Sequence, residues 1–255
     1  MGCPRTNCLA TASAPWPLAP SGDTDRRVYT ELFEAVVGQT PERLPARGTG
    51  VTMPLAVREL LNANGVELER VERLAEVITE RMPGRLAEHR DEVLRTGQVL
   101  PGAAAALRAV HEAHDMVPTV VTGNLRGSAE VKLRLFQLDA YLDLSIGAYA
   151  SDNHMRPALV RTAQDRAAIR HNHPINAHST VIIGDSLEDV RTGREGGARV
   201  LAVASGTTSA ADLRNAGADR VVPELTDTAH ILRLIREIVS EPQSTTGPHP
   251  IRRQV

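Results

Sequence analysis

The chain is poor in aromatic residues and in net charge, and each shortage excludes a kind of protein. Three tyrosines, two phenylalanines and one tryptophan occur in 255 residues. A buried core must therefore rest on leucine, valine, isoleucine and alanine, which bury less area per side chain than rings do. The formal net charge is -2, and no run of lysine or arginine stands out. This balance argues against a nucleic-acid surface or an anionic membrane surface.

Cysteine and long apolar runs are also scarce. Cys3 and Cys8 form a C-x4-C pair that could bind a metal or form a disulfide, but no second ligand pair follows at a zinc spacing, so unpaired thiols are expected. No apolar stretch is long enough to span a membrane. Pro15, Pro17 and Pro20 interrupt the segment that would form the apolar part of a signal peptide. We therefore expect a cytoplasmic protein, as a monomer or homodimer.

The sequence divides into four segments of different character. Residues 1–22 are rich in alanine, proline, threonine and serine and show no period, with at best a weak strand at residues 8–12. Residues 23–96 show apolar positions at helical spacing, and Pro83-Gly84 is predicted to interrupt one helix. Residues 97–240 alternate between helix and strand. The polar, proline-rich residues 241–255 are predicted to be disordered.

The alternation in residues 97–240 predicts an α/β fold. Short apolar runs separated by helical segments are typical of a parallel sheet with helices on both faces. The predicted architecture is a Rossmann-like core preceded by a small all-helical cap domain. The predicted strands cover residues 117–121, 144–148, 180–183, 200–204 and 221–222.

Residues that suit phosphate chemistry follow these strands. Ligands bind beyond the carboxyl ends of the strands in an open parallel sheet. Thr122 offers a hydroxyl donor there, and Gly123 and Asn124 offer backbone N–H groups that can form an anion nest. Asp185 and Asp189 offer carboxylates for a hard cation such as Mg²⁺. Asp185 could instead cap the helix that follows it.

Together these segments resemble the haloacid dehalogenase superfamily, in its phosphatase branch with a helical cap, similar to phosphoglycolate phosphatases. The resemblance lies in Val120-Val121-Thr122-Gly123-Asn124, in Arg156 before Pro157-Ala158-Leu159, and in the G-D-x-x-x-D of Gly184 to Asp189. It covers about residues 25–239. The order and spacing of the three segments carry the resemblance.

The resemblance implies Mg²⁺-dependent hydrolysis of a small phosphorylated metabolite through an aspartyl-phosphate. Thr122 and the neighbouring N–H groups would bind phosphoryl oxygens, and Asp185 and Asp189 would hold Mg²⁺. Arg156 would stabilise charge in the transition state. Lys132 is a reserve for Arg156, because it lies on a predicted helix where a solvated surface charge is the more common outcome.

The first motif of that family, D-x-D-G-T after an apolar strand, is absent. Asp23-Thr24-Asp25 has the D-x-D letters, but no apolar strand precedes it and no Gly-Thr follows. Without the nucleophile there is no route to the covalent intermediate. Because that strand lies in the middle of the family's sheet, its loss predicts two unpaired strand edges facing a gap about 10 Å wide.

Two explanations of the missing motif remain open. We hypothesise that residues 1–22 come from a wrong start or reading frame, because the composition breaks abruptly where the motif belongs. The alternative is an inactive relative that binds a phosphorylated metabolite or serves as an interaction module. A dehalogenase of the same superfamily is disfavoured, because dehalogenation needs no metal and the G-D-x-x-x-D segment is present.

Overall fold

The computed structural model describes residues 8–13, 18–19, 22–45, 51–204 and 208–241. Two short 3-10 helices, Asp139–Tyr141 and Ala177–Ser179, and ten α-helices lie in these ranges. Their bounds are α1 Gly22–Val37, α2 Met53–Ala63, α3 Leu68–Glu88, α4 Arg90–Thr96, α5 Ala103–Glu112, α6 Arg126–Leu135, α7 Arg156–His171, α8 Leu187–Gly196, α9 Ala210–Asn215 and α10 Thr228–Ser240.

Six of the eight described strands form one parallel sheet, in the order β5-β4-β1-β6-β7-β8. The remaining two, β2 and β3, pair antiparallel. The prediction of an α/β fold with a parallel sheet is confirmed. The strands are β1 Cys8–Ser13, β2 Leu18–Ala19, β3 Gln98–Val99, β4 Met116–Thr122, β5 Ala148–Tyr149, β6 Thr180–Gly184, β7 Arg199–Val203 and β8 Arg220–Val222.

The predicted gap in the middle of the sheet is wrong, because β1 fills it. Its residues pair in parallel with β4 on one side, from Cys8 opposite Met116 to Ser13 opposite Val121. They pair in parallel with β6 on the other side. The backbone N–H and C=O groups of both neighbours thus gain partners, although the sequence of β1 is a weak strand former.

Alternate residues of the central strands face two hydrophobic layers. Val181 and Ile183 of β6 lie in a cluster with α5 and α10. Ile182, between them, lies in a second cluster with α7, α8 and α9. Since successive side chains of a strand point to opposite faces, the sheet is covered by helices on both sides, as predicted.

Helices α1 to α4 pack around a third cluster that also receives Leu125, Val131 and Phe136 from α6 and its ends. The predicted interruption at Pro83 is wrong, since α3 runs through it. A Cβ added to Gly127 of α6 would lie 2.8 Å from Pro83 Cγ, so the proline ring packs directly on α6. This contact offsets the loss of the helical hydrogen bond that proline, which has no backbone N–H, cannot donate. The division into a cap of residues 23–96 and a core of 97–240 stays a prediction.

Strand β5 is shorter than predicted. The predicted strand at residues 144–148 is reduced to Ala148–Tyr149, because Asp143 Oδ1 accepts hydrogen bonds from the backbone N and hydroxyl of Ser145 and turns the chain. The predicted tail beyond Glu241 lies outside the described residues. Within the described ranges, no helix combines the length and apolar character that a membrane crossing would require.

Candidate phosphate and metal site

The turn after β4 carries the first part of the candidate site. Thr122 is the last residue of β4 and is buried. Its Oγ1 accepts two hydrogen bonds, from Asn124 N at 3.0 Å and from Asn124 Nδ2 at 2.9 Å. The turn therefore holds the threonine hydroxyl in a fixed place at the carboxyl end of the sheet.

Arg156 links this turn to the one after β6. It is the first residue of α7, and its Nη2 donates to Asp189 Oδ1 at 2.7 Å. A Cβ added to Gly123 would lie 3.4 Å from Arg156 Cδ, so the arginine stem passes close to the β4 turn. One arginine side chain therefore joins the two segments that the sequence pointed to: its stem passes the β4 turn and its guanidinium binds Asp189.

The turn after β6 is closed by a capping box. Ser186 is the N-cap of α8, and its hydroxyl accepts from Asp189 N. Asp189 Oδ2 in return accepts from Asp185 N, Ser186 N and Ser186 Oγ. The alternative role of Asp185 as helix cap is wrong, because Ser186 fills it. The sequence spacing of G-D-x-x-x-D follows from this closed turn.

Asp185 and Asp189 differ in whether a cationic side chain pairs with the carboxylate. Asp189 is fully buried and its two oxygens are occupied by Arg156 and by the Ser186 turn. Asp185 forms no ion pair with any residue in the described ranges. Burial, and secondly the charge of Asp189, raise the pKa of Asp185 to about 6. An uncompensated, mostly buried carboxylate is where a cation is most stabilising.

Asp185 suits Mg²⁺ binding better than Asp189 does. A hard cation takes oxygen ligands, and Asp185 offers a carboxylate without a cationic partner. The geometry favours Asp189 as the group that holds Arg156 and the turn. Its role as a ligand stays a prediction. No group of three or more candidate metal ligands occurs among the described residues.

Lys132 is not the solvated surface charge that the sequence favoured. Only 11% of its side chain is exposed. Its Nζ lies 2.8 Å from Asp25 Oδ2 of α1 and 3.2 Å from Asn124 Oδ1. One sequence signal could have singled it out: Lys132 is the only lysine among the 29 basic residues of the chain.

The start of α2 covers the β4 turn, which sequence reasoning did not anticipate. Met53 N donates to Gly123 O at 2.8 Å, and Thr52 Oγ1 donates to His154 O at 3.1 Å. Thr52 is buried beneath this contact. Thr52 is the residue before α2 and Pro54 lies in its first turn, but the local sequence carries no signal for what the helix touches.

Strand β1 ends between the two turns. Ser13 pairs with Val121, the residue before Thr122, and Ala12 pairs with Ile183, two residues before Asp185. The chain therefore reaches the site at the place where a nucleophile would be needed. No aspartate or glutamate occurs in residues 1–22.

Comparison with known proteins finds a family model that matches the second half of this site. Residues 155–228 match the HAD-hydrolase-like family. The matched segment contains Arg156, Asp185 and Asp189 and leaves out Thr122. No curated protein matches the chain in sequence.

Solved structures with the same fold cover most of the chain. A hydrolase from Pseudomonas syringae aligns at 18% identity and a TM-score of 0.62, over 89% of this chain and 98% of its own. CbbY from Rhodobacter sphaeroides, in complex with phosphate, aligns at 18% identity and 0.64, over 86% and 95%. A family IA HAD hydrolase from Entamoeba histolytica aligns at 13% identity and 0.63, over 92% and 99%. At these identities the likeness concerns the fold.

Proposed function

We propose that this site serves Mg²⁺-dependent hydrolysis of a small phosphomonoester. The observation that carries the proposal is the position of Arg156, which contacts Asp189 and passes beside Gly123. A guanidinium between a hydroxyl-bearing turn and a carboxylate turn suits a tetrahedral dianion, because it can neutralise charge on the transferring group. The phosphate complex of CbbY, which shares the fold, supports the same ligand class.

In this proposal each side chain has a limited task. Thr122 and the N–H groups of the β4 turn bind phosphoryl oxygens, and Arg156 stabilises their negative charge. Asp185 would hold Mg²⁺, which would supply positive charge against the phosphoryl oxygens. Asp189 orients Arg156. The α2 start, through Thr52 and Met53, limits access of water to the turn.

A variant of CbbY was solved in complex with xylulose-(1,5)-bisphosphate, and we propose a similarly small phosphorylated metabolite here. Arg58, one of the cationic residues of the helical segment, is engaged by Glu72, so it offers no free charge to a substrate carboxylate.

The second candidate is a protein that binds such a ligand without hydrolysing it. The observation that favours it is β1 itself, which fills the central position but ends at Ser13, with no aspartate in residues 1–22. If residues 1–22 come from a wrong reading frame, the true protein would carry the missing aspartate, and the hydrolase would be the correct candidate. Translating the upstream DNA in the other frames tests it; absence of an apolar strand with an aspartate in every frame would eliminate it.

Phosphate release from an aryl phosphate separates the candidates. The wild-type chain, Asp185→Ala and the matched control Asp165→Ala, which removes an exposed carboxylate of α7, are compared with Mg²⁺ present. Activity that is lost in Asp185→Ala and kept in Asp165→Ala supports the hydrolase. No activity in any of them, with phosphate still bound by the wild type, supports the binding protein.

A further inference from the structure

Lys132 stands at the junction of three elements. It belongs to α6, its Nζ donates to Asp25 Oδ2 of α1 at 2.8 Å, and it donates to Asn124 Oδ1 of the β4 turn at 3.2 Å. With 11% of the side chain exposed, the ammonium has little access to water. It therefore depends on these two oxygen acceptors for its stability.

The ammonium fixes which way the Asn124 amide points. A lysine has three donors and no acceptor, so the amide atom that faces it has to be the oxygen. The amide nitrogen is then turned toward Thr122 and donates to its Oγ1 at 2.9 Å. The same Oγ1 also accepts from Asn124 N at 3.0 Å.

The two bonds decide what the Thr122 hydroxyl can do. A hydroxyl has one proton and two acceptor lone pairs, and both acceptor positions are taken by Asn124. The proton of Thr122 has no acceptor among the described residues, although the side chain is buried. It is therefore left to donate to a ligand at the end of β4, which an anionic phosphoryl oxygen satisfies well.

We propose that Lys132 is a positioning residue for phosphate binding. By holding the Asn124 amide in one orientation, it keeps the Thr122 hydroxyl as a donor to the phosphoryl group, and Asp25 of α1 holds the ammonium in place. This role differs from direct charge stabilisation. It rests on the proposed function only in that the β4 turn binds phosphate, and not on hydrolysis.

The loss of Lys132 matters because the oxygen and nitrogen of the Asn124 amide can exchange places by rotation. Without the ammonium the Asn124 side chain can rotate, and its oxygen can then accept the Thr122 proton. A hydroxyl engaged in this way no longer serves the ligand. Because a hydrogen bond to a charged group is among the stronger ones, we expect Lys132→Met to weaken phosphate binding by about tenfold.

A double-mutant cycle tests whether Lys132 affects phosphate binding through Asn124. Binding of inorganic phosphate is measured by calorimetric titration for the wild type, Lys132→Met, Asn124→Ala and the double variant, with urea unfolding as a check on folding. We expect the tenfold loss from Lys132→Met to shrink to about twofold or less once Asn124 is alanine. A loss of equal size in both backgrounds would show direct contact or a general structural effect, and would overturn the inference.

A second variant keeps the test decisive if Lys132→Met does not fold. Asp25→Asn retains an oxygen acceptor for Lys132 but removes the charge that anchors it, and we expect a smaller loss of phosphate affinity that also vanishes in the Asn124→Ala background. Phosphate binding that obeys the cycle without any hydrolysis would overturn the hydrolase proposal alone. Failure of the wild type to bind phosphate would overturn the role of Lys132 as well.

Discussion

Arg156 and Asp189 form an ion pair, with Nη2 and Oδ1 2.7 Å apart and side chains 6% and 0% exposed. The pair connects α7 to the turn after β6. A buried charge that loses its partner pays the cost of desolvation without compensation. The two residues are therefore coupled in stability as well as in any chemistry at the site.

The first prediction concerns this pair. Asp189→Ala leaves Arg156 buried and also removes the acceptor of the Ser186 turn, so we expect a loss of about 3–5 kcal/mol in the free energy of unfolding. Urea denaturation measures it. The control is Asp165→Ala, which breaks the exposed Arg161–Asp165 pair and should cost far less. Similar losses in the two variants would contradict the coupling.

A second prediction follows from the raised pKa of Asp185. The folded protein binds this proton more tightly than the unfolded chain does, so ionisation of Asp185 destabilises the fold as the pH rises from about 4 through its folded pKa of about 6. Asp185→Asn removes the charge. In EDTA, the variant should gain on the order of 3 kcal/mol relative to wild type between pH 4 and pH 7.5.

Urea unfolding of both proteins at several pH values provides the measurement. The difference between the two curves isolates Asp185, because every other titrating group is common to both. A difference that does not change with pH would show that the carboxylate is not destabilised in the folded state.

The third prediction uses Mg²⁺ itself. A ligand that binds only the folded state raises the melting temperature by mass action. Mg²⁺ should therefore stabilise the wild-type protein at pH 8, where Asp185 is ionised, and should have little effect on Asp185→Asn. Differential scanning calorimetry with Mg²⁺, and with K⁺ at equal ionic strength, makes the comparison. Equal stabilisation of both proteins would place the cation elsewhere.

The fourth prediction compares two glycines in helices. A Cβ on Gly127 would lie 2.8 Å from Pro83 Cγ, whereas a Cβ on Gly84 would meet nothing within 4 Å. Gly127→Ala should cost about 1–3 kcal/mol through overpacking, and Gly84→Ala should stabilise by about 0.5–1 kcal/mol. Thermal unfolding of the two variants shows whether each substitution lowers or raises the stability of the protein. A neutral Gly127→Ala would show that α3 can move away from α6.

Much of the sheet could be predicted because its strands are buried on both faces. Residues 180–184 and 199–203 are almost entirely buried, and such strands read as continuous apolar runs. Strand β1 was indicated only as a weak strand at residues 8–12, and its central place in the sheet was not predicted. Its sequence, Cys-Leu-Ala-Thr-Ala-Ser, is unremarkable by itself, and its place is set by hydrogen bonding to β4 and β6 on either side.

The site was predictable to the extent that its residues follow strands. Thr122 and Asp185 could be named from local pattern, since the carboxyl ends of parallel strands meet at one edge, whereas Arg156 was named through the family resemblance. The environment of Lys132 could not, because its partner Asp25 lies 107 positions away in sequence. Local periodicity predicts that a residue lies on a helix, but it does not predict which residues of a distant helix will contact it.

The central place of β1 also sets the order of events during synthesis. Strand β1 leaves the ribosome before both of its neighbours, which lie far downstream at residues 116–122 and 180–184. The four-helix segment, rich in local contacts, is completed well before them. Contacts between distant parts of a chain form slowly, so β1 must wait unpaired until β4 has been made. Its sequence, Cys-Leu-Ala-Thr-Ala-Ser, has one β-branched residue and no aromatic residue, and a waiting strand of such low β-propensity is less prone to pair with other chains.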